Sequence, residues 1–524
     1  MKGGFRQSMA WLHTWTGLLL GWLLFAIFVT GTSAYFQEEI TRWMTPEVHS
    51  VPADPASGFV AATEWLQREA PGGSEWSIYS TGKRAAGLQL YWANGPDAPA
   101  DAPTSARLDG TGSEVFARET LGGWFLYRFH YDLHYINWYW ARWLVGIAAM
   151  AMLVAILSGI VTHKKILADF FLLRFGKGQR SWLDAHNASS VLFLPFILMI
   201  TYTGLVSLAT HYMPWGIAAN YTDEGKFFEE TAPWPVPAEK AGPAPLAPIG
   251  PMVEQAERRW GTAVGSVRIL NPGDRSAQVI VSSAPDAGMS IALRSLTFDG
   301  VTGRPVRAQD PSGAATVTED TMIGIHAGRF ASPLLRVLYF LSGLAGCVMV
   351  ASGLVLWTVK RRAKLPDPER PHFGFRLVEK LNIAAIAGLS FGIAVYFLAN
   401  RLLPLGIAGR SDQEIDSMFI AWGAVAIWAM ARPVRRAWLE ALSATALAFA
   451  LVPVVNALTT DRSLFASLAA GDSVFAAFDG AMLLIAAGFG WAALKVARRP
   501  SGQGRRKTAA RGSSARGVPG TEAV

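Results

Sequence analysis

The sequence predicts an α-helical membrane protein in which a helix–domain–helix unit occurs twice in parallel. Two small α+β domains lie outside the bilayer, and four extra C-terminal transmembrane helices follow. Three observations carry this. The 524 residues are 51% hydrophobic and only 16% charged, the balance of a membrane protein with a soluble portion. Several stretches reach the roughly 20 apolar residues that a spanning helix needs. The chain up to about residue 362 also repeats itself in register, the mark of a duplicated unit.

Residues 1–35 form the first element, with the span at 11–35; no small-residue cleavage site follows, so it reads as a retained anchor. Residues 36–130 form the first soluble domain. "FVAATEWLQREA" is helical in pattern, "WSIYS" and "LQLYWA" alternate as strands, and "LDGTGSEV" ends in a turn. Residues 131–162 hold the second span, 163–185 a basic loop and 186–211 the third span. Residues 212–325 repeat the soluble pattern with "MVEQAERRW", "VRILN", "AQVIVS" and "FDGVTGRPV", after a Pro/Ala-rich linker at 232–251. The fourth span lies in 326–359 and a second basic loop at 360–379. Residues 380–495 hold spans at 380–400, 416–431, 437–457 and 473–495, and 496–524 is a polar, basic tail expected to be disordered.

The net charge is +8, but the basic residues cluster beside apolar segments, the pattern of cytoplasmic loops rather than of nucleic-acid binding. The loops at 163–180, 360–376 and 431–438 and the tail therefore share one side. Both termini are expected in the cytoplasm, and the two large loops outside it. The partners expected from composition are membrane lipid and no nucleic acid. Cys347 is the sole cysteine, which excludes an intrachain disulfide, a cysteine-ligated iron–sulfur cluster and a Cys-x-x-Cys-His haem attachment. The nine histidines are the remaining soft ligands.

Their placement follows the repeat. His13 precedes the Thr30-Gly31 pair and His186 the Thr203-Gly204 pair, by 18 residues to the glycine in each case. Arg142 and Arg336 each precede a Ser-Gly pair at the same spacing, and "FHYDLHY", with His130 and His134, corresponds to "IGIHAGRF", with His326. Parallel repeats are related by an axis along the membrane normal, so equivalent residues face each other at one depth. His13 then faces His186 near the cytoplasmic side, and His130 or His134 faces His326 near the outer side. Two histidine pairs at two depths suit two six-coordinate b-type haems in a four-helix bundle. Gly17, Gly21, Gly31, Gly159, Gly343, Gly346 and Gly353 leave room for a flat macrocycle or, equally, for close helix packing. His130 and His134 are four apart and share a face if helical; His134 lies nearer the membrane core and is preferred. His163 is either a third ligand candidate on the inner side or a cation among lysines.

The segments "WLHTWTGLLLGWLLFAIFVTGTSAYFQEEI", "FHYDLHY…GIVTHKK", "WLDAHNASSVLFLPFILMITYTGL" and "IHAGRF…LRVLYFLSGLAGCVMVASGLVLW" together resemble the PepSY-associated transmembrane proteins, over roughly residues 5–362. That family includes iron-regulated inner-membrane proteins of bacteria and reductases of ferric siderophores. The resemblance implies PepSY-like periplasmic domains, two haem b groups and electron passage across the inner membrane to a periplasmic ferric chelate such as a ferric siderophore. No nucleotide-binding glycine loop follows a strand here. The donor is therefore expected to be a cytoplasmic reductase, a soluble reductant or a quinol. The competing expectation is a non-redox membrane protein whose PepSY-like domains bind or regulate a protease or envelope partner.

Overall fold

The computed structural model describes residues 4–498 apart from 49–54, 81–83, 85–86, 95–103, 110–111, 163–173, 175–177, 232–234 and 311–312. Among these residues six straight helices are long and apolar enough to cross a membrane, or up to eight spans if each of two bent pairs counts as one. The first bent pair is α1 (Phe5–Leu19) with α2 (Gly21–Ala34), broken by 65°. After the short α3 (Gln37–Met44) come α4 (Pro55–Glu69), α5 (Gly122–Asp132) and the straight α6 (Trp138–Thr162). The second bent pair is α7 (Gln179–Leu192) with α8 (Leu194–Val206), broken by 69°. Then follow α9 (Ile249–Trp260), α10 (Ala314–Ala327) and the straight α11 (Pro333–Arg362).

The first and third spans, expected as continuous helices, are thus kinked, and at repeat-equivalent places. The breaks fall at Leu20 and Phe193, each seven residues after its histidine. Kinks have local causes. Pro195 opens α8 without a backbone N–H to offer the preceding turn. At Gly21 a Cβ would stand 2.8 Å from Leu354 Cδ2, so the missing side chain is what lets α11 press against the break.

The two soluble segments, expected as two modules, form one sheet. Strands β1 (Glu75–Ser80), β2 (Leu88–Ala93), β3 (Ser105–Leu108), β4 (Val264–Leu270), β5 (Gln278–Ser283), β6 (Ser295–Asp299) and β7 (Pro305–Gln309) run in the order β3-β2-β1-β4-β5-β6-β7, all neighbours antiparallel. The seam is β1 with β4, where Ile78 pairs with Val267. Pairing there saturates an edge strand from each segment, which would otherwise expose unpaired backbone. Apolar residues alternate inward along β1, β4 and β5 and join α4 and α9 in one core around Phe59, Leu66, Ile78, Val267 and Phe298. Arg268 spans the seam, donating from Nε and Nη2 to the Glu75 carboxylate at 2.5 and 2.9 Å. The Pro/Ala-rich stretch is anchored as well. Asp274 accepts from the backbone N–H groups of Ala241 and Gly242 at 2.8 and 2.9 Å, bonds that hold its carboxyl well below the ordinary aspartate range.

The carboxy-terminal helices are α12 (Phe373–Leu402), α13 (Arg410–Ala431), α14 (Val434–Thr459) and α15 (Ser473–Ala497). A π-helical turn at Ala384–Gly388 interrupts α12, and Trp422 Nε1 donates to the Ala384 carbonyl at 2.8 Å. This unit is joined to the repeat region at both ends. Trp22 Nε1 donates to Asn382 at 2.8 Å, and Trp43 Nε1 to the buried Asp479 at 3.0 Å.

Candidate functional site

One local arrangement occurs four times. His13 on α1 donates from Nδ1 to the carbonyl of Ala155 in α6 at 2.8 Å, and Gly159 stands one turn further along that helix. His186 on α7 donates to Met349 of α11 at 2.8 Å, with Gly353 one turn on. His130 on α5 donates to Ile27 of α2 at 2.7 Å, with Gly31 one turn on. His326 on α10 donates to Ile200 of α8 at 3.0 Å, with Gly204 one turn on, and Thr203 Oγ1 stands 3.2 Å from the same nitrogen. In each case the ring lies where a glycine side chain would be. A Cβ at Gly159, Gly353, Gly31 or Gly204 would approach the corresponding imidazole to 3.3, 3.1, 2.6 or 2.8 Å. Small residues therefore form four imidazole seats, two per repeat.

A carbonyl only accepts, so Nδ1 carries the proton in each neutral ring and Nε2 holds the lone pair. This tautomer is the one a metal-ligating histidine adopts when its other nitrogen donates to a backbone carbonyl. The rings meet in pairs. His13 and His186 have centroids 6.1 Å apart with ring planes at 72°, and His130 and His326 have centroids 6.1 Å apart with planes at 33°. A ligating imidazole nitrogen sits about 2 Å from its metal and about 1.1 Å from its own ring centre. Two rings on opposite sides of one metal thus have centroids roughly 6 Å apart. The donor set fits two bis-histidine haem sites.

His130, not the preferred His134, is the residue that faces His326. The two histidines do not share a helix face, because α5 ends at Asp132 and Leu133 takes a left-handed backbone with φ of 45°. His134 is carried away by that reversal and stacks on Phe419 at 5.7 Å. His163 lies outside the described residues. Of the other glycines, Gly343 and Gly346 are abutted by Thr32 and Phe28, and Gly17 has nothing within 4 Å of a built Cβ. His211 sits among Trp138, Tyr139 and Trp143, and His372 caps the start of α12 by accepting from Phe375 N at 3.2 Å.

The outer pair opens into a cavity of about 760 Å³ whose lining includes His130, His326, Gly31 and Gly204 but neither His13 nor His186. That volume lies within the range of cofactor and ligand sites. The lining also includes Tyr127, Tyr131, residues 261–265 at the start of β4 and residues 284–287 after β5. Arg84 is held at this end by Glu39 at 2.7 and 2.8 Å and by the Tyr35 carbonyl at 2.8 Å. Glu38, also in the lining, has its carboxyl pushed above the ordinary range by burial. Arg84 opposes that shift, and the like charge of Glu39 adds to it. The buried Thr262 hydroxyl has no hydrogen-bond partner and faces the same lining. The wall is therefore mixed in charge, with Glu38, Arg84, Asp286 and Arg329 among apolar residues.

Residues 10–360 match the family described as PepSY-associated TM region. The chain belongs to this family. The PepSY-associated portion contains both histidine pairs, the whole sheet and the bundle, and ends at α11. An uncharacterized protein of Pseudomonas aeruginosa is similar to the chain, with 25% identity over 325 residues that make up 56% of this chain and 76% of the relative.

The fourfold carbonyl-and-glycine seat was only half visible in the sequence. The four glycines recur in register, Gly31 and Gly204 at 18 residues from His13 and His186, and Gly159 and Gly353 after the matched Arg142 and Arg336. Nothing in the sequence says which histidine each one seats, and the partner carbonyls at Ala155, Met349, Ile27 and Ile200 have no sequence signature.

Proposed function

We propose that this protein is a di-haem b electron-transfer protein of the bacterial inner membrane. It moves electrons from the cytoplasmic side to a ferric chelate, such as a ferric siderophore, on the periplasmic side. The observation that carries the reading is the same imidazole seat built four times and paired twice at 6.1 Å. Histidines serving only as interfacial side chains have no reason to repeat tautomer, spacing and facing partner together.

His13 and His186 hold the inner group, and His130 and His326 the outer one. Haem, when bound, supplies reversible one-electron chemistry. The chain's own residues fix everything around it. The four carbonyls keep each ring in the ligating tautomer and stop it from rotating, and the glycines let the rings sit inside the helix pairs. The cavity gives the outer site an approach from the sheet side. A ferric chelate that gains one electron holds its iron through hard oxygen ligands less firmly, because iron(II) is softer and less charged. The basic flanks of the spans support cytoplasmic termini and cytoplasmic loops at 163–185 and 360–379, and on that reading the sheet and the cavity that reaches it lie on the periplasmic side. The electron donor is a cytoplasmic reductase, a soluble reductant or a quinol.

Haem stoichiometry of the purified chain tests the reading. Two b-type haems per chain are expected, with a reduced spectrum that titrates in two components and is reoxidised by ferric chelates. His13→Ala or His186→Ala should each leave one haem. A colourless protein from haem-replete cells would instead favour a non-redox PepSY protein that binds a protease or envelope partner.

A further inference from the structure

The carboxy-terminal helices lie outside the family match, yet two of them reach into the element that carries His130. Helix α5 starts at Gly122, and the segment before it, Arg118 to Leu121, is gripped by α12 and α13. Tyr396, fully buried on α12, donates its hydroxyl to the Gly122 carbonyl at 2.9 Å. Glu414 on α13 accepts from Thr120 Oγ1 at 2.5 Å and from Asn400 Nδ2 at 2.8 Å. Arg410 pairs with Glu414, both side chains being fully buried, and donates to the Glu119 carbonyl at 3.0 Å. Ser411 holds the Glu119 carboxylate at 2.8 Å, and Arg118 donates to the Asn400 carbonyl at 2.6 Å. Further along α5, Phe125 and Phe129 pack on Tyr396 and Phe419.

The start of α5 is held by α3 as well. A Cβ at Gly123 would stand 2.2 Å from the Gln37 carbonyl, and the Gly123 N–H donates to Thr41 Oγ1 at 3.0 Å. The start of α5 is therefore wedged between α3 and the carboxy-terminal unit. His130 lies two turns further along the same helix. A buried charged pair is a poor device for stability alone, since its desolvation offsets much of the attraction. Its strength is that a broken partner is costly, so the geometry it joins is held to one arrangement.

We propose that α12 and α13 are a positioning clamp for His130, with Tyr396, Arg410 and Glu414 as positioning residues that set how His130 meets its partner across the outer pair. The inference rests on the haem reading for its consequence, though not for the clamp itself. Through α5 the clamp fixes the 33° angle between the His130 and His326 rings. Among the described residues, the side-chain hydrogen bonds of Tyr396, Arg410 and Glu414 go to residues 119–122, to 400–404 and to one another, and none goes to α1 or α7, which carry the inner pair.

The test uses the full chain with Tyr396→Phe, which keeps the ring and volume, and Glu414→Gln, which removes the charge. Each is made alone and in a His13→Ala background that isolates the outer site. Hydrogen exchange is read over residues 119–132 and, as internal control, over α10. The outer haem is read by its low-spin EPR signal, its midpoint potential and its affinity. The expected result is faster exchange in α5 with α10 unchanged, an altered EPR signal and potential at the outer haem only, and about a ten-fold loss of outer-haem affinity for Glu414→Gln. Unchanged α5 exchange in both variants overturns the clamp. Equal shifts at the inner and outer haems overturn its selectivity. A haem-free wild type overturns the haem reading, and the exchange measurement still judges the clamp.

Discussion

The two histidine pairs are built from the same parts but are placed in different surroundings. Each joins one residue from either repeat at a centroid distance of 6.1 Å, with each Nδ1 on a helix carbonyl and a glycine behind each ring. His13 and His186 belong to the bent spans themselves, about two helical turns before each kink. His130 and His326 belong to helices that lead out of the sheet domain, and they line the cavity. The glycine seats are also tighter at the outer pair, 2.6 and 2.8 Å against 3.3 and 3.1 Å. The repeat thus yields two like histidine pairs, and among the described residues the outer pair lines the cavity that also takes in residues 261–265 and 284–287 of the soluble segments, while the inner pair does not.

The largest effect that can break this comparison comes from the histidines at the outer site. On the proposed di-haem function, His130→Ala should remove one haem and stop reduction of an external ferric chelate, while the inner haem stays. His134→Ala should leave both haems in place, because its ring rests on Phe419. Haem content with chelate reduction measures both, and retention of two haems in His130→Ala would reverse the assignment.

The next effect is graded by the seats. Alanine at Gly31 or Gly204 would need a neighbour to give way by several tenths of an ångström, and that neighbour is a ring already tied to a carbonyl. At Gly159 or Gly353 the required shift is smaller. Gly31→Ala and Gly204→Ala should therefore weaken haem retention more than Gly159→Ala and Gly353→Ala, read as haem loss to an apo-myoglobin acceptor. Equal losses at all four would mean that the seats do not differ.

Why the sequence reveals one pair sooner than the other follows from the same difference. His13 and His186 lie in apolar segments whose repeat spacing survives into the fold, so register alone pairs them. The outer choice depended on where a helix stops. Nothing in "FHYDLHY" advertises the end, because the left-handed turn is taken by Leu133 and Tyr135 rather than by glycine. The joining of β1 to β4 is similarly silent, since an edge strand does not encode its partner. The polar stretch "RSDQEID" runs up to the start of the span expected at 416–431, whereas α13 begins at Arg410, so the buried network that joins this turn to the start of α5 is not legible in the sequence. The kinks seven residues after His13 and His186 are not read from the sequence either, although Gly21 and Pro195 stand beside them.

A spectroscopic prediction sharpens the comparison without altering ligation. Crossed imidazole planes give a low-spin ferric haem a more axial signal at higher g than near-parallel planes do. The 72° pair should provide the more axial component and the 33° pair the more rhombic one. His186→Ala should delete the first component alone. Deletion of the rhombic component by that substitution would exchange the two assignments.

The smallest effect concerns the seam between the soluble segments. Arg268 hydrogen-bonds to Glu75 and holds its carboxyl below the ordinary range, with burial opposing. A lowered folded pKa means that the pair's contribution is fully present above the unfolded value of about 4.3 and is lost as the pH falls through the lower folded value. The pair is partly exposed, so that contribution is at most about 1 kcal/mol. Glu75→Gln should therefore speed hydrogen exchange in β1 and β4 modestly at neutral pH and flatten the acid dependence of that exchange. Because β1 and β4 belong to the segments that lead to α5 and α10, loosening the seam should reach the outer haem's spectrum and spare the inner one. Acid-induced change of equal size at both haems would show that the sheet is not mechanically separate from the spans, and that the two sites are less independent than their surroundings imply.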